Sequence, residues 1–309
     1  MGLLLPAVQS AREAGRRNTC SNNLSQLGKS IVAYDSKAGK LPGWKNPNVG
    51  TSLTAASRLT TSPMYSWPVM LLPGLERLDI YSAAETVSSG TSGAIVNANV
   101  SSISAFVCPS SPADTPETPS LAYVGNAGYF GDNGYTGNGV FFDRCVSPKT
   151  ISLDFIGSGD GTSNTLLFAE RNGALSDPAA WNANAAAVTA IGLRQGPDNG
   201  GRKLSDLPMF VLTGFSATGR VINGTQDIPI PALLNPSDTR TLYTGEMLSS
   251  NHAGGVSVVF CDGHTLFLRD SISPKVLSQL MTSKSGVALA GVYDTLSANL
   301  DILREADFK

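Results

Sequence analysis

Apolar side chains near the start of the chain recur three and four residues apart, as one face of a long helix requires. The residues with this spacing are Leu24, Leu27, Ile31 and Tyr34. The pattern predicts one helix from Leu3 to about Tyr34. Leu41-Pro42-Gly43 is predicted to break it, because proline removes a backbone donor and glycine frees the backbone.

The predicted helix starts abruptly, with an uncapped apolar run at Leu3–Leu5. Further apolar residues before this run would give a membrane-spanning segment of about 20 residues. We therefore expect residues 1–40 to be a stem helix whose membrane anchor has been removed. Residues 41–309 are expected to form the globular head.

Later segments have the composition of strands and tight turns. Residues 103–107, 139–142 and 165–170 are predicted to be strands, the first of them buried. Val256–Cys261 and His264–Arg269 flank Asp262-Gly263 and predict a hairpin with a two-residue turn. In that register Cys261 and His264 share one face of the hairpin. Together these elements predict an α+β fold, with a long N-terminal helix packed on an antiparallel sheet and an enlarged, loop-rich head.

Helix signals return just after the hairpin. Ser273-Pro274 is predicted to cap and start a helix, since serine accepts from free amides and proline fits the first turn. The apolar residues of this helix are Val276, Leu277, Leu280 and Met281.

Composition narrows the class of protein. Charged residues make up 15% of the 309 residues, and the chain contains 32 Gly and 18 Pro. This balance is typical of a loop-rich extracellular protein rather than a disordered one. A formal net charge of −2 gives no overall field for nucleic acid, and basic residues cluster only at Arg12, Arg16 and Arg17.

Four cysteines lie far apart in the chain: Cys20, Cys108, Cys145 and Cys261. Their spacing excludes a zinc knuckle, in which pairs lie two to four residues apart. Disulfides are expected in an oxidising compartment, and a Cys20–Cys108 bridge is our first choice. The sequence leaves three pairings open, and buried free thiols are the alternative.

Six segments resemble, in order, the prepilin-type proteins of unknown function that are expanded in planctomycete bacteria. They are residues 3–44, 66–73, 106–110, 120–126 and 160–170, and His252 followed after nine residues by Asp262-Gly263. The prepilin peptidase site is absent, and the tail after Gly286 does not match.

The resemblance implies a non-catalytic, pilin-like or pseudopilin-like subunit. Such a subunit is anchored in the inner membrane when full length, and lies outside the cytoplasm or in a surface filament. Its partners are other pilin-like subunits, met through the N-terminal helix in a type IV pilus or type II secretion-like filament.

Two histidines are the first candidates for chemistry. His252 is predicted to be structural, with a hydrogen bond to a backbone carbonyl or to Asp262, while metal ligation and acid–base chemistry are the alternatives. Cys261 opposite His264 has the residue types of a thiol nucleophile and its base. No third group orients that imidazole, so we do not predict an enzyme.

Oxygen ligands concentrate around residues 160–165. Asp160, with Asp154 before it and Glu170 after it, offers the hard ligands that calcium prefers. The loop lacks the alternating acidic positions of an EF-hand, so an ordinary turn is favoured. Calcium is the alternative, and otherwise no cofactor is expected. The resemblance supports calcium, because some pilin-like subunits hold it in a loop near the C-terminal sheet.

Aromatic residues suggest a second function. Trp44, Trp67 and Trp181 could stack on sugars, although their scatter along the chain favours core packing. The alternative function is therefore a membrane-tethered, extracytoplasmic binding module for a glycan or another solute.

Overall fold

A computed structural model describes residues 4–43, 46–47, 64–65, 67–85, 103–111, 121–129, 139–142, 144, 150–172, 209–212, 222, 225–229, 242–246 and 248–284. The helices are α1 (Leu4–Ala38), α2 (Trp67–Leu71), α3 (Leu78–Glu85), α4 (Leu153–Gly157) and α5 (Pro274–Met281), with short 3₁₀ turns at Leu72–Leu75 and Ser104–Phe106. The strands are β1 (Asn46–Pro47), β2 (Met64–Tyr65), β3 (Tyr123–Tyr129), β4 (Leu166–Glu170), β5 (Met209–Leu212), β6 (Thr225–Pro229), β7 (Leu242–Glu246), β8 (Gly255–Phe260) and β9 (Thr265–Arg269).

Helix α1 confirms the predicted N-terminal helix and runs one turn further than expected. It ends where Gly39 takes a positive φ of 65° and donates its N–H to the Asp35 carbonyl, at 2.7 Å. Residues 5–19 are exposed except for the half-buried Glu13. From Cys20 onward one face is fully buried, through Leu24, Leu27 and Ile31. The helix therefore has an exposed N-terminal part and is packed from Cys20 onward.

The main sheet has the strand order β5-β3-β4-β8-β9. Strands β3, β4, β8 and β9 pair antiparallel, and β5 joins the edge parallel to β3. A long N-terminal helix on an antiparallel sheet confirms the α+β class.

The two faces of the sheet are covered by different helices. The face under α1 carries Val259 and Phe168, with Trp67 packed on Phe168 at 4.4 Å between ring centroids. The opposite face carries Val258 and Phe260 against α5. Gly28 lets α1 approach β8 closely, because a Cβ there would meet the Val259 side chain at 3.0 Å. Trp67 is therefore a core residue, as favoured from the sequence.

The β8–β9 hairpin exists, but its predicted two-residue turn is wrong. Val259 pairs with Thr265, and Phe260 exchanges backbone hydrogen bonds around a three-residue connection, Cys261-Asp262-Gly263. Gly263 has φ +89°, the left-handed conformation that ends such a loop. The extra residue places His264 against Phe260, with rings stacked at 4.2 Å, and Cys261 on the other face.

Two further predictions are corrected, and one is confirmed. Residues 103–107 form a 3₁₀ turn closed by Phe106 and Val107 amides, so the buried strand predicted there is wrong. Residues 139–142 lie outside the sheet, so the strand predicted there is wrong; Val140 and Phe141 both donate their N–H groups to the Asn126 carbonyl. The cap of α5 is as predicted: the Ser273 hydroxyl accepts from the Val276 N–H at 3.2 Å.

Several sequence predictions lie outside the described residues. They concern Trp44, Cys145, Trp181 and the tail after Gly286. Within the described ranges, no helix combines the length and the apolar character that a membrane crossing requires.

Candidate functional site

Four side chains from distant parts of the chain meet beneath the middle of α1. Cys20 comes from α1, Cys108 follows the 3₁₀ turn 104–106, Glu170 ends β4, and His252 precedes β8. All four residues are buried, and their ligand atoms lie within 4.8 Å of one another. We call them the Cys–His–Glu cluster.

The two cysteines of the cluster form a disulfide. Cys20 and Cys108 have Cα atoms 5.3 Å apart and are 88 residues apart in sequence. The pairing is the one preferred in the sequence analysis. Among the described cysteines, Cys261 is free and buried, and burial raises the pKa of its thiol well above the ordinary value.

A buried amide positions the Cys108 segment. Asn23, one turn after Cys20 on α1, donates its side-chain N–H groups to the carbonyls of Ser104 and Val107, at 3.2 and 2.9 Å. The Ser104 carbonyl also accepts the Val107 N–H that closes the 3₁₀ turn, so Asn23 is its second donor. The segment before Cys108 is thereby tied to the stem independently of the disulfide.

His252 lies between two carboxylates. Its Nδ1 is 2.5 Å from Glu13 Oε1, and its Nε2 is 3.3 Å from Glu170 Oε1. The same Nε2 lies 3.4 Å from Cys20 Sγ and 3.6 Å from Cys108 Sγ. The second oxygen of Glu170, Oε2, accepts the Ser257 N–H at 2.7 Å.

This arrangement favours a charged imidazolium. The hydrogen bond with Glu170 raises the pKa of His252, and the bond with Glu13 adds to it, while burial acts in the opposite direction. The hydrogen bond from His252 lowers the pKa of Glu13. A cation between two anions compensates charge that would otherwise be costly to bury.

The hydrogen bond suggested between His252 and Asp262 is not formed. Asp262 instead accepts from the neighbouring His264, with Oδ1 and Nδ1 2.6 Å apart at the exposed hairpin tip. The three-residue connection explains the difference, because Asp262 is its middle residue and its carboxylate lies beside His264. Gly263 occupies the left-handed position of that turn.

The three residues considered for calcium are not brought together. In the described part of the chain one group of three or more potential ligands is found; it includes Glu170 but neither Asp154 nor Asp160. Asp160 lies in a turn, where its Oδ2 accepts from the Thr282 hydroxyl at 3.3 Å and its N–H donates to the Ser283 carbonyl. Calcium binding at this turn stays a prediction.

Sequence reasoning missed Glu13, which covers His252 from the solvent side. A signal was present: Glu13 lies seven residues, or about two turns, before Cys20, and so extends the buried face of α1. A carboxylate aligned with an apolar helix face indicates a polar partner in the head.

All four members of the cluster are enclosed by the fold. Cys20 is 0% and Cys108 2% exposed. The imidazole and Glu170 are equally enclosed. The disulfide therefore links stem and head from inside the fold.

Comparison with known proteins gives one match. The family described as "Protein of unknown function (DUF1559)" matches residues 9–275, which include all four members of the cluster. No curated protein and no solved structure matches the chain. Since the match covers well over half of the chain, the protein belongs to the DUF1559 family.

Proposed function

We propose that the protein is a pseudopilin-like structural subunit of a type IV pilus or type II secretion-like filament, and that it is not an enzyme. The observation that carries this proposal is the division of α1. Its first half projects from the fold with Leu5 67% and Val8 46% exposed, and its second half is built into the core.

A helix divided in this way suits assembly through its free end. Exposed apolar residues on a projecting helix bury area only when another surface covers them. In the proposed filament this surface is the stem of a neighbouring subunit. In the unassembled subunit it would be the inner membrane.

Several contacts hold the head in a fixed orientation relative to the stem. Besides the disulfide, the Ser21 hydroxyl donates to Thr265 Oγ1 at 2.8 Å, and the Arg17 guanidinium lies 4.6 Å from the centre of the Phe267 ring. A cation over an aromatic face contributes about 0.5–1 kcal/mol at an exposed site. Heads fixed in this way would take one orientation around a core of stems.

The alternative, a tethered module that binds a glycan or another solute, has less support. In the described part of the chain the one tryptophan, Trp67, is buried in the core. Trp44 and Trp181 lie outside the described residues. Binding of a polysaccharide with micromolar affinity by the isolated head would favour this alternative.

The test expresses the full-length protein together with a prepilin peptidase and the proteins that assemble pilus-type filaments. We expect wild-type protein in the sheared filament fraction. Leu5→Glu combined with Val8→Glu should remove it from that fraction while the folded protein still accumulates.

Leu78→Glu is the matched control, because Leu78 is also apolar and 59% exposed but lies on α3 in the head. This variant should assemble as wild type does. Filaments that form equally well with Leu5→Glu and Val8→Glu, or the absence of wild-type protein from the sheared fraction, would contradict the proposal.

A further inference from the structure

We propose that the Cys–His–Glu cluster binds one zinc ion when the Cys20–Cys108 disulfide is reduced. The ligand atoms would be Cys20 Sγ, Cys108 Sγ, His252 Nε2 and Glu170 Oε1, which lie within 4.8 Å of one another. This site does not depend on whether the chain assembles into a filament.

Four of the six distances between these atoms are close to the edges of a zinc tetrahedron. Usual zinc bond lengths give about 3.4 Å between nitrogen and oxygen ligands and about 3.6 Å between a sulfur and either of them. The structure has 3.3 Å from His252 Nε2 to Glu170 Oε1, and 3.4 and 3.6 Å from Nε2 to the two sulfurs. Cys108 Sγ lies 3.7 Å from Glu170 Oε1. Reduction would let the two sulfurs separate to about 3.8 Å, the sulfur–sulfur edge of such a tetrahedron.

The outer partners are those of a metal site. In such sites the ligating histidine donates its other ring N–H to a carboxylate, which orients the ring and raises its basicity. Glu13 Oε1 is in this position, 2.5 Å from His252 Nδ1. The Glu170 oxygen that faces away from the cluster accepts the Ser257 N–H. Both arrangements leave the atoms facing the cluster available to a metal.

The donor set selects zinc over calcium. Two thiolates and an imidazole are soft or borderline ligands, whereas calcium takes six to eight oxygens. Four protein ligands leave no open coordination position, which is the pattern of a structural rather than a catalytic zinc site. The metal would therefore replace the disulfide as the link between α1 and the head.

Exchange between the disulfide state and the zinc-bound state conserves electrons and protons. The disulfide accepts two electrons and two protons from a dithiol, which is itself oxidised to a disulfide, and leaves two thiols. Zinc then displaces the two thiol protons and the Nε2 proton of the imidazolium as it binds. Oxidation of the two thiolates by a disulfide reverses the sequence and releases the metal.

The experiment reduces the folded full chain with a phosphine, removes the reductant anaerobically, and adds cobalt(II) or zinc. We expect one metal per chain by native mass spectrometry. The cobalt protein should show thiolate-to-metal charge-transfer bands and the intense d–d bands of a tetrahedral site. X-ray absorption of the zinc protein should give two sulfur and two nitrogen or oxygen ligands.

Variants assign the ligands. Cys108→Ser and His252→Gln should abolish the tetrahedral cobalt spectrum, whereas Glu13→Gln should keep it and weaken affinity about 10- to 100-fold. Cys261→Ser is the matched control, because Cys261 is buried but lies outside the cluster. It should bind metal as wild type does.

Reduced, folded wild-type protein that binds no metal at micromolar zinc would overturn the proposal. So would a zinc shell without sulfur. X-ray absorption on wild-type protein keeps the test decisive if a ligand variant fails to fold.

Discussion

Two carboxylates of this fold differ in how completely their oxygens are partnered. Glu170 is 2% exposed and lies among an imidazole, a backbone N–H and two sulfurs. Asp35, near the end of α1, accepts one hydrogen bond from the Leu153 N–H at 3.3 Å, and its buried Oδ1 has no hydrogen-bond partner in the described part of the chain. Burial, opposed by that N–H and assisted by the charge of Asp154, raises the pKa of Asp35.

Asp35→Asn should therefore stabilise the protein at neutral pH. A raised pKa means that the folded state holds the Asp35 proton more tightly than the unfolded chain does, so stability falls as pH rises through the native pKa. In the Asp35→Asn variant, the free energy of unfolding should not show this decrease with pH. Urea denaturation of both proteins between pH 4 and pH 8 would measure their free energies of unfolding.

Asp154→Asn is the control for Asp35, because it removes only the neighbouring like charge. It should give a smaller gain of the same sign. An Asp35→Asn protein that is less stable than wild type at neutral pH would show that the carboxylate makes a favourable contact instead.

Two glycines should respond to alanine with opposite signs. Gly263 has φ +89° in the β8–β9 turn, where a Cβ meets no atom but the backbone conformation is strained for alanine. Gly15 lies in the exposed half of α1, also with nothing within 4 Å. We expect Gly263→Ala to cost about 1 kcal/mol and Gly15→Ala to gain up to about 1 kcal/mol, measured by thermal or urea unfolding. Equal effects would contradict the turn geometry.

At the scale of elements, α1 is held mainly by its apolar face. Leu24, Leu27 and Ile31 are all 0% exposed and belong to the core beneath the sheet. Stabilisation of a helix in a protein comes chiefly from this kind of packing rather than from its intrinsic propensity. The second half of α1 is thus an integral part of the head.

Leu27→Ala should lower the free energy of unfolding by about 2–5 kcal/mol, because it removes a fully buried side chain and leaves a cavity. Val32→Ala is the matched control on the same helix, where the side chain is 38% exposed. It should cost well under half as much. Equal losses for both variants would mean that α1 is not packed as described.

Local patterns in the sequence predict α1, β4, the hairpin and α5. Each of these elements is specified by neighbouring residues: the three-and-four spacing from Leu24 to Ile31, the Asp262-Gly263 turn, and the Ser273 cap. The exact hairpin register was missed because two-residue and three-residue loops share the same Asp-Gly signal. That single residue decides whether His264 faces Cys261.

The Cys–His–Glu cluster could be predicted only in part. Cysteine spacing suggests a bridge, but Glu170 meets His252 only through the pairing of β4 with β8, which no local pattern specifies. Glu13 and His252 are 239 residues apart. The segment before Cys108 accepts hydrogen bonds from Asn23, another long-range contact.

At the scale of the whole molecule, the disulfide joins stem and head across 88 residues of sequence. A cross-link over a loop of this size removes unfolded-state entropy equivalent to about 4 kcal/mol in the chain-entropy model. The described head surrounds this link, with α1 on one face of the sheet and α5 on the other. Loss of the link should weaken the hold of the head on the stem first.

Reduction in the presence of a strong chelator should therefore lower the free energy of unfolding by about 4 kcal/mol. The chelator prevents metal from replacing the cross-link. Intact mass after alkylation reports the bond itself: Cys20 and Cys108 should be alkylated only after reduction. Alkylation of both residues in unreduced, denatured protein would contradict the disulfide.

We propose that subunits associate through the exposed N-terminal part of α1. Site-directed cross-linking detects this association. Single cysteines would be placed at Val8 and, separately, at Leu78, in a Cys145→Ser, Cys261→Ser background that keeps the Cys20–Cys108 disulfide. The full-length variants would be assembled with the filament machinery and treated with a short thiol-specific cross-linker. We predict covalent dimers from position 8 and monomers from position 78. Monomers from position 8 in assembled material, with dimers from position 78, would contradict association through this part of α1.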